Sequence, residues 1–63
     1  MNISLDDIRS KAPEGATHYD WEYDYLRLKN GKWSVWNSFH EIWQPMHTPT
    51  EGDIARFKIK PLN

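Results

Sequence analysis

The sequence predicts an α+β fold, a small twisted antiparallel β-meander of three to five strands with a short N-terminal helix. Three observations carry this. Four tryptophans, three tyrosines and two phenylalanines fall within 63 residues, and most of them flank one Asn30-Gly31 dipeptide. Apolar and polar residues alternate on both sides of that dipeptide, from Tyr23 to Asn37. A capping pattern, Ser4-Leu5-Asp6-Asp7, precedes a short apolar stretch at the N-terminus.

The helix comes first. Ser4 caps it and Asp7 stands at the third helical position, a variant of the capping box; Ile3 and Ile8 are spaced for a hydrophobic staple. Asp6 and Asp7 lie at the positive end of the helix dipole, Arg9 and Lys11 at the negative end. Ala12-Pro13 ends the helix, because a residue before proline avoids the α region. Two turns do not hold alone in water, so Ile3, Leu5 or Ile8 must dock on something. Pro13-Glu14-Gly15 is a turn.

A first strand is expected within Ala16–Trp21, a second over Tyr23–Lys29 and a third over Lys32–Asn37. Asn-Gly supplies the two positive-φ residues of a type I′ hairpin turn. A two-residue loop then sets the register: Lys29 opposite Lys32, Leu28 opposite Trp33, Arg27 opposite Ser34, Leu26 opposite Val35, Tyr25 opposite Trp36. Period-two alternation places Leu26, Leu28, Trp33 and Val35 on one face, as core, and Tyr25, Arg27, Ser34 and Trp36 on the other. His40–Gln44 reads as a fourth short strand stopped by Pro45, and Met46–Gly52 as loop. Asp53–Lys60 alternates again, which predicts a last strand with Ile54, Arg56, Lys58 and Lys60 on one face and Ala55, Phe57 and Ile59 on the core face.

Length and composition bound the function. Residues 1–63 make a single small domain, which buries only about 60% of its unfolded surface. It holds no cysteine, so disulfides and thiolate metal sites are excluded; the aromatics supply the large buried side chains instead. The net charge is −1. The first 24 residues hold six acids against two bases, the rest six bases against three acids. No apolar run approaches the roughly 20 residues of a membrane span, and no signal-peptide pattern opens the chain. The cytoplasm of the producing cell is the expected location, with no membrane partner.

Catalysis finds no support. The serines sit in no nucleophile elbow, no glycine-rich loop cradles a phosphate, and no pattern requires a cofactor. Asp20, Glu22 and Asp24 alternate like the start of an EF-hand calcium loop, yet the sixth position is Tyr25 rather than glycine and the twelfth is Gly31 rather than glutamate. Their expected role is a solvated acidic strand edge. His18, His40 and His47 show no HExxH spacing. The expectation is therefore a non-enzyme with no metal and no catalytic residues.

Binding is the remaining class. Interface hot spots are enriched in tryptophan, tyrosine and arginine, and Tyr25, Arg27 and Trp36 bring those types to one strand face, with Trp43 nearby. Arg56, Lys58 and Lys60 form a second, basic stripe. Aromatics beside bases also suit single-stranded nucleic acid, which stacks on rings in a positive groove; that is the alternative reading, against a near-neutral net charge. A self-associating structural component is a third. Tyr25 and Trp36 can equally be a cross-strand pair padding a small core beneath the helix.

Two resemblances follow from these residues. Trp21 and Trp43, twenty-two apart, with Asn37 and Pro45, resemble the skeleton of a WW domain; the tandem aromatics of that family's middle strand fall here on Ser34 and Val35, so the likeness is convergent. The segment Pro13-Glu14-Gly15-Ala16-Thr17-His18-Tyr19, then an aromatic hairpin with Gly31-Lys32-Trp33 and Trp36, resembles small uncharacterised tailed-phage and prophage accessory proteins. The likeness covers roughly Ala12–Asn37. It implies a phage accessory protein made in the host cytoplasm that binds, and inhibits or redirects, a host bacterial protein; the family assigns no catalytic residues.

Overall fold

Asn30 and Gly31 both take positive φ, 53° and 75°, as a type I′ turn requires. They join β2 (Tyr25–Lys29) to β3 (Lys32–Asn37). Leu26 stands opposite Val35, Arg27 opposite Ser34, Leu28 opposite Trp33 and Lys29 opposite Lys32, the register the two-residue loop dictates. A computed structural model describes residues 3–63. Around the central hairpin it builds one five-stranded antiparallel sheet in the order β4-β3-β2-β1-β5, with β1 at His18–Tyr19, β4 at Ile42–Pro45 and β5 at Lys60–Pro61. Two short helices complete it, α1 (Leu5–Ser10) and α2 (Glu51–Phe57). The fold is α+β with a short N-terminal helix, as the sequence predicts.

Helix α1 begins where its cap places it. Ser4 Oγ accepts from the Asp7 backbone N–H at 3.2 Å, satisfying one of the orphan donors of the first turn. Its one buried residue is Ile8. The chain then turns at Gly15, where φ is 96°, and enters β1. Backbone bonds from Thr17 N–H to Leu26 O (2.9 Å) and from Leu62 N–H to Thr17 O (3.0 Å) extend the ladder beyond that strand's two residues. The expected first strand, Ala16–Trp21, is thus shorter. The fourth is shifted, to Ile42–Pro45 instead of His40–Gln44. Pro45 fits inside it because β4 is an edge strand, where a missing N–H costs no ladder bond.

Two expectations fail, each for a physical reason. Asp53–Lys60 is no strand: Glu51–Phe57 is helical. Thr50 Oγ1 accepts from Asp53 N–H, and an Asp53 carboxylate oxygen accepts from Thr50 N–H, both at 3.1 Å. This reciprocal cap outweighs the alternation that reads as strand. His47 Nε2 lies 3.5 Å from the same carboxylate; the cap bonds, helped by His47, hold the Asp53 carboxyl below its usual range. The core also differs. Among the described residues the buried apolar side chains are Ile8, Leu26 and Leu62, at 6%, 3% and 4% exposure, together with Pro49. Leu28 and Phe57, expected inside, are 37% and 39% exposed, and Trp33, Val35 and Ile59 are half-buried. Leu28 sits near the exposed hairpin tip, and Phe57 lost its inward strand position when the segment became helical.

Helix α2 ends at Lys58, which adopts the left-handed conformation at φ 52°, ψ 47°. Ile59 N–H then donates to Ile54 O at 3.1 Å, the long closing bond of a Schellman turn. A non-glycine residue in that region costs about 1–2 kcal/mol, partly offset by glycine's larger unfolded-state entropy. Lys58→Gly is therefore expected to stabilise the protein by about 0.5–1 kcal/mol, read as a higher urea midpoint with an unchanged slope.

Candidate functional site

Cross-strand partners share a sheet face. One face carries His18, Leu26, Leu28, Trp33 and Val35; the other carries Tyr19, Tyr25, Arg27, Ser34, Trp36, Trp43 and Lys60. Tyr25, Arg27, Trp36 and Trp43, predicted as one binding face, do come together. Trp36 and Trp43 meet edge-to-face at 5.2 Å, and the Arg27 guanidinium carbon stands 5.0 Å from the centre of the Trp43 ring.

The N-terminal segment lies over this cluster. Tyr25 Oη donates to the Ile8 carbonyl at 2.7 Å, and its phenol pKa is raised by burial. Trp43 Nε1 donates to the Glu14 carbonyl at 3.3 Å. A Cβ added at Gly15 would touch Arg27 Cδ at 3.4 Å and Trp43 Nε1 at 3.6 Å, ordinary packing distances, so the turn needs glycine for its φ of 96°. Arg9 Nε donates to the Leu62 carbonyl, tying helix α1 to β5. Ser34 beneath is 8% exposed. All four predicted residues are half-buried, in packing contacts with the chain itself.

The basic stripe does not form. Arg56 lies in the last turn of α2, Lys58 is its left-handed cap and Lys60 opens β5. The change from strand to helix breaks the period-two geometry that would have aligned them.

Lys58 and Lys60 instead border an open groove of about 390 Å³. Ile3, Leu5 and Ile8 supply one wall. Tyr19, Trp21 and Tyr23 supply the other, with Asp20 between them. Trp21 and Tyr23 are 55% and 46% exposed, Ile3 and Leu5 48% and 39%. The aromatic wall is held from behind. Asp20 Oδ1 accepts from both Glu22 and Asp24 N–H at 3.0 Å. Asp20 and Asp24 are joined by a backbone bond of 3.1 Å. Tyr23 takes φ 63°, the left-handed residue of a three-residue hairpin loop. Trp21 N–H donates to Phe57 O at 2.9 Å, which pins the loop to the end of α2.

Asp20, Glu22 and Asp24 are therefore not one face of a strand. They are a loop organised around the Asp20 carboxylate. Partial burial, then the charges of Asp20 and Glu22, raise the Asp24 pKa. The groove escapes sequence reading because Trp21 and Tyr23 lie within an acidic alternation that mimics an edge strand. The usable signal is Asp20 itself, since an aspartate side chain accepts from the backbone N–H two residues on and so organises a tight loop.

On the opposite face, Leu28 N–H donates to Thr17 Oγ1 at 2.8 Å. The same Thr17 hydroxyl hydrogen-bonds with His18 Nδ1, also at 2.8 Å. The His18 ring packs on Trp33 at 4.9 Å. Burial lowers the His18 pKa below its usual value, so the fold prefers the neutral ring. The unfolded chain binds the proton more readily, and stability is lost as pH falls through the usual histidine range toward the lowered folded value. Thermal melting is expected to drop between about pH 7 and pH 5, and the drop should shrink in His18→Gln.

Among the described residues, no group of three histidine, aspartate or glutamate side chains is placed to hold a metal ion, and no helix is long and apolar enough to cross a membrane. Comparison with protein-family models, curated proteins and solved structures returns no match.

Proposed function

We propose that the chain is a phage-encoded accessory protein that binds a host bacterial protein, inhibiting or redirecting it, and that the groove between Trp21, Tyr23, Ile3 and Leu5 is the contact. The observation that carries this is the pre-set aromatic wall. Two large rings stand about half exposed on a loop whose backbone is fixed by Asp20 and by Phe57. A rigid exposed aromatic loses little entropy on binding, and such residues dominate interface energetics. Exposed apolar side chains grouped in this way mark interaction surfaces.

The charged groups bordering the groove are Asp20, Lys58 and Lys60. Asp20 is occupied by loop N–H groups, and no base–nucleophile pair faces the groove, so binding suits it better than catalysis. The phage origin is supported by the likeness of Pro13–Tyr19 to small phage accessory proteins. That segment includes the Gly15 turn, which rests on Arg27 and Trp43.

The test is capture from bacterial lysate with tagged protein, followed by titration of the recovered partner. Trp21→Ala is expected to melt like the parent, because an exposed ring leaves no cavity, and to weaken the complex by about 2 kcal/mol or more, roughly thirtyfold. A partner held equally well by Trp21→Ala and by a Leu5→Ser variant sets this groove aside.

A further inference from the structure

A second site lies at the hairpin tip, away from the aromatic groove. Arg27 and Lys29 on β2, and Lys32 and Ser34 on β3, are two consecutive cross-strand pairs on one sheet face. Lys29 and Lys32 stand directly opposite each other, an arrangement that costs stability because like charges at that spacing repel. No ion pair among the described residues relieves it. The ion pairs among the described residues are Asp6–Arg9 and His47–Asp53, and neither touches this block. No carboxylate lines the cleft that Arg27, Lys29 and Lys32 share with Asn30, Ser34 and Pro45, which has a volume of about 340 Å³.

Arg27 is the informative member. Its Nε is buried without a hydrogen-bond partner, and its guanidinium rests on the Trp43 ring. An aromatic face thus positions the cation while no anion neutralises it. A fork of donors held in place without a carboxylate is suited to a phosphate oxyanion.

We infer that the cleft of Arg27, Lys29 and Lys32 binds the phosphate backbone of a single-stranded nucleic acid. The cations are spread along two strands of an open cleft, not gathered round an enclosed point, which suits a run of phosphates. The Asn30 amide and the Ser34 hydroxyl add the neutral donors common at phosphates. With about three phosphates contacted, each removes roughly 0.7 from the slope of log affinity against log salt.

The experiment is fluorescence anisotropy of a labelled oligothymidine. Affinity is expected to fall roughly twentyfold between about 50 and 200 mM salt. Lys29→Ala and Lys32→Ala should each flatten the slope by about 0.7. Lys11→Ala, the same charge change at the exposed end of helix α1, should leave it unaltered. All three lysines are exposed, and melting curves confirm that the variants stay folded. The inference is overturned by absence of binding at the lowest salt, by slopes that ignore Lys29 and Lys32, by an equal loss in Lys11→Ala, or by inorganic tripolyphosphate binding as tightly as the oligonucleotide, which would assign the cleft to a free polyphosphate. Trp21→Ala is expected to bind the oligonucleotide normally, so this site and the protein-binding groove fail or stand separately.

Discussion

Leu26→Ala is expected to remove about half of the protein's stability. Leu26 is the least exposed of the buried apolar side chains, at 3%, and it sits in the central strand of the sheet, paired with Val35 on one side and His18 on the other. Removing a buried leucine to alanine costs about 2–5 kcal/mol, transfer and cavity together. At about 0.05–0.15 kcal/mol per residue, a domain this small has roughly 3–9 kcal/mol in hand. Among the described residues the other buried apolar side chains are Ile8, Leu62 and Pro49, so little remains to compensate. Leu28→Ala, two residues along the same face, is the control. Leu28 is 37% exposed, and its truncation should cost below about 1 kcal/mol. Urea melts of the pair, followed by tryptophan fluorescence, decide the matter. Equal costs would mean that the core is centred nearer the hairpin tip.

The contrast between Leu26 and Leu28 also marks how far alternation reaches. It places both on the correct face, because side-chain direction in a strand is local. It cannot say how far along the strand the cover extends, because that depends on where distant segments dock. The hairpin was legible for the same local reason: Asn30-Gly31 determines the turn, and the turn determines every partner down the ladder. The cap at Ser4 was legible because one hydroxyl and one N–H three residues on suffice.

Asp53–Lys60 shows the opposite case. Its apolar residues satisfy period two, yet Ile54 and Phe57 are also three apart, as one helix face requires. Thr50 and Asp53 settle the competition from outside the alternating run. Strand β5 has only two residues and lies beside β1, more than forty positions earlier in the chain. No local pattern encodes that pairing, or the burial of Leu62 that goes with it.

For the site, sequence alternation correctly gathered Tyr25, Arg27, Trp36 and Trp43, and left open whether the helix covers them. The answer lies in the path of Ala12–Gly15, set by a positive φ at Gly15 and by contacts with side chains twelve and twenty-eight residues later. Trp21 and Tyr23 went unassigned because their acidic neighbours imitate a solvated strand. Tyr23 in the left-handed region is a tertiary fact, since that position in such a loop ordinarily favours glycine.

Trp43→Ala is expected to be as damaging as the loss of Leu26, by a different route. Trp43 is only half-buried, but it joins three parts of the molecule. Its ring meets Trp36 edge-to-face within the sheet, carries the Arg27 guanidinium, and through Nε1 anchors the Glu14 carbonyl of the turn that leads helix α1 across the face. Truncation of a packed tryptophan costs about 3–5 kcal/mol. Here it also strands Arg27, whose Nε already lacks a partner, and frees the segment that delivers Ile8 to the core. Trp43→Phe separates the contributions. It keeps an aromatic face for Arg27 and Trp36 and loses the bond to Glu14, for about 1 kcal/mol from that bond plus a smaller packing loss. The expected order of stability is therefore wild type, then Trp43→Phe, then Trp43→Ala, with the alanine variant well below the other two. A Trp43→Ala protein that melts like the wild type would mean that the N-terminal segment is not held down. The face of Tyr25, Arg27 and Trp36 would then be open, and the partner's contact would be sought there in preference to the groove at Trp21 and Tyr23.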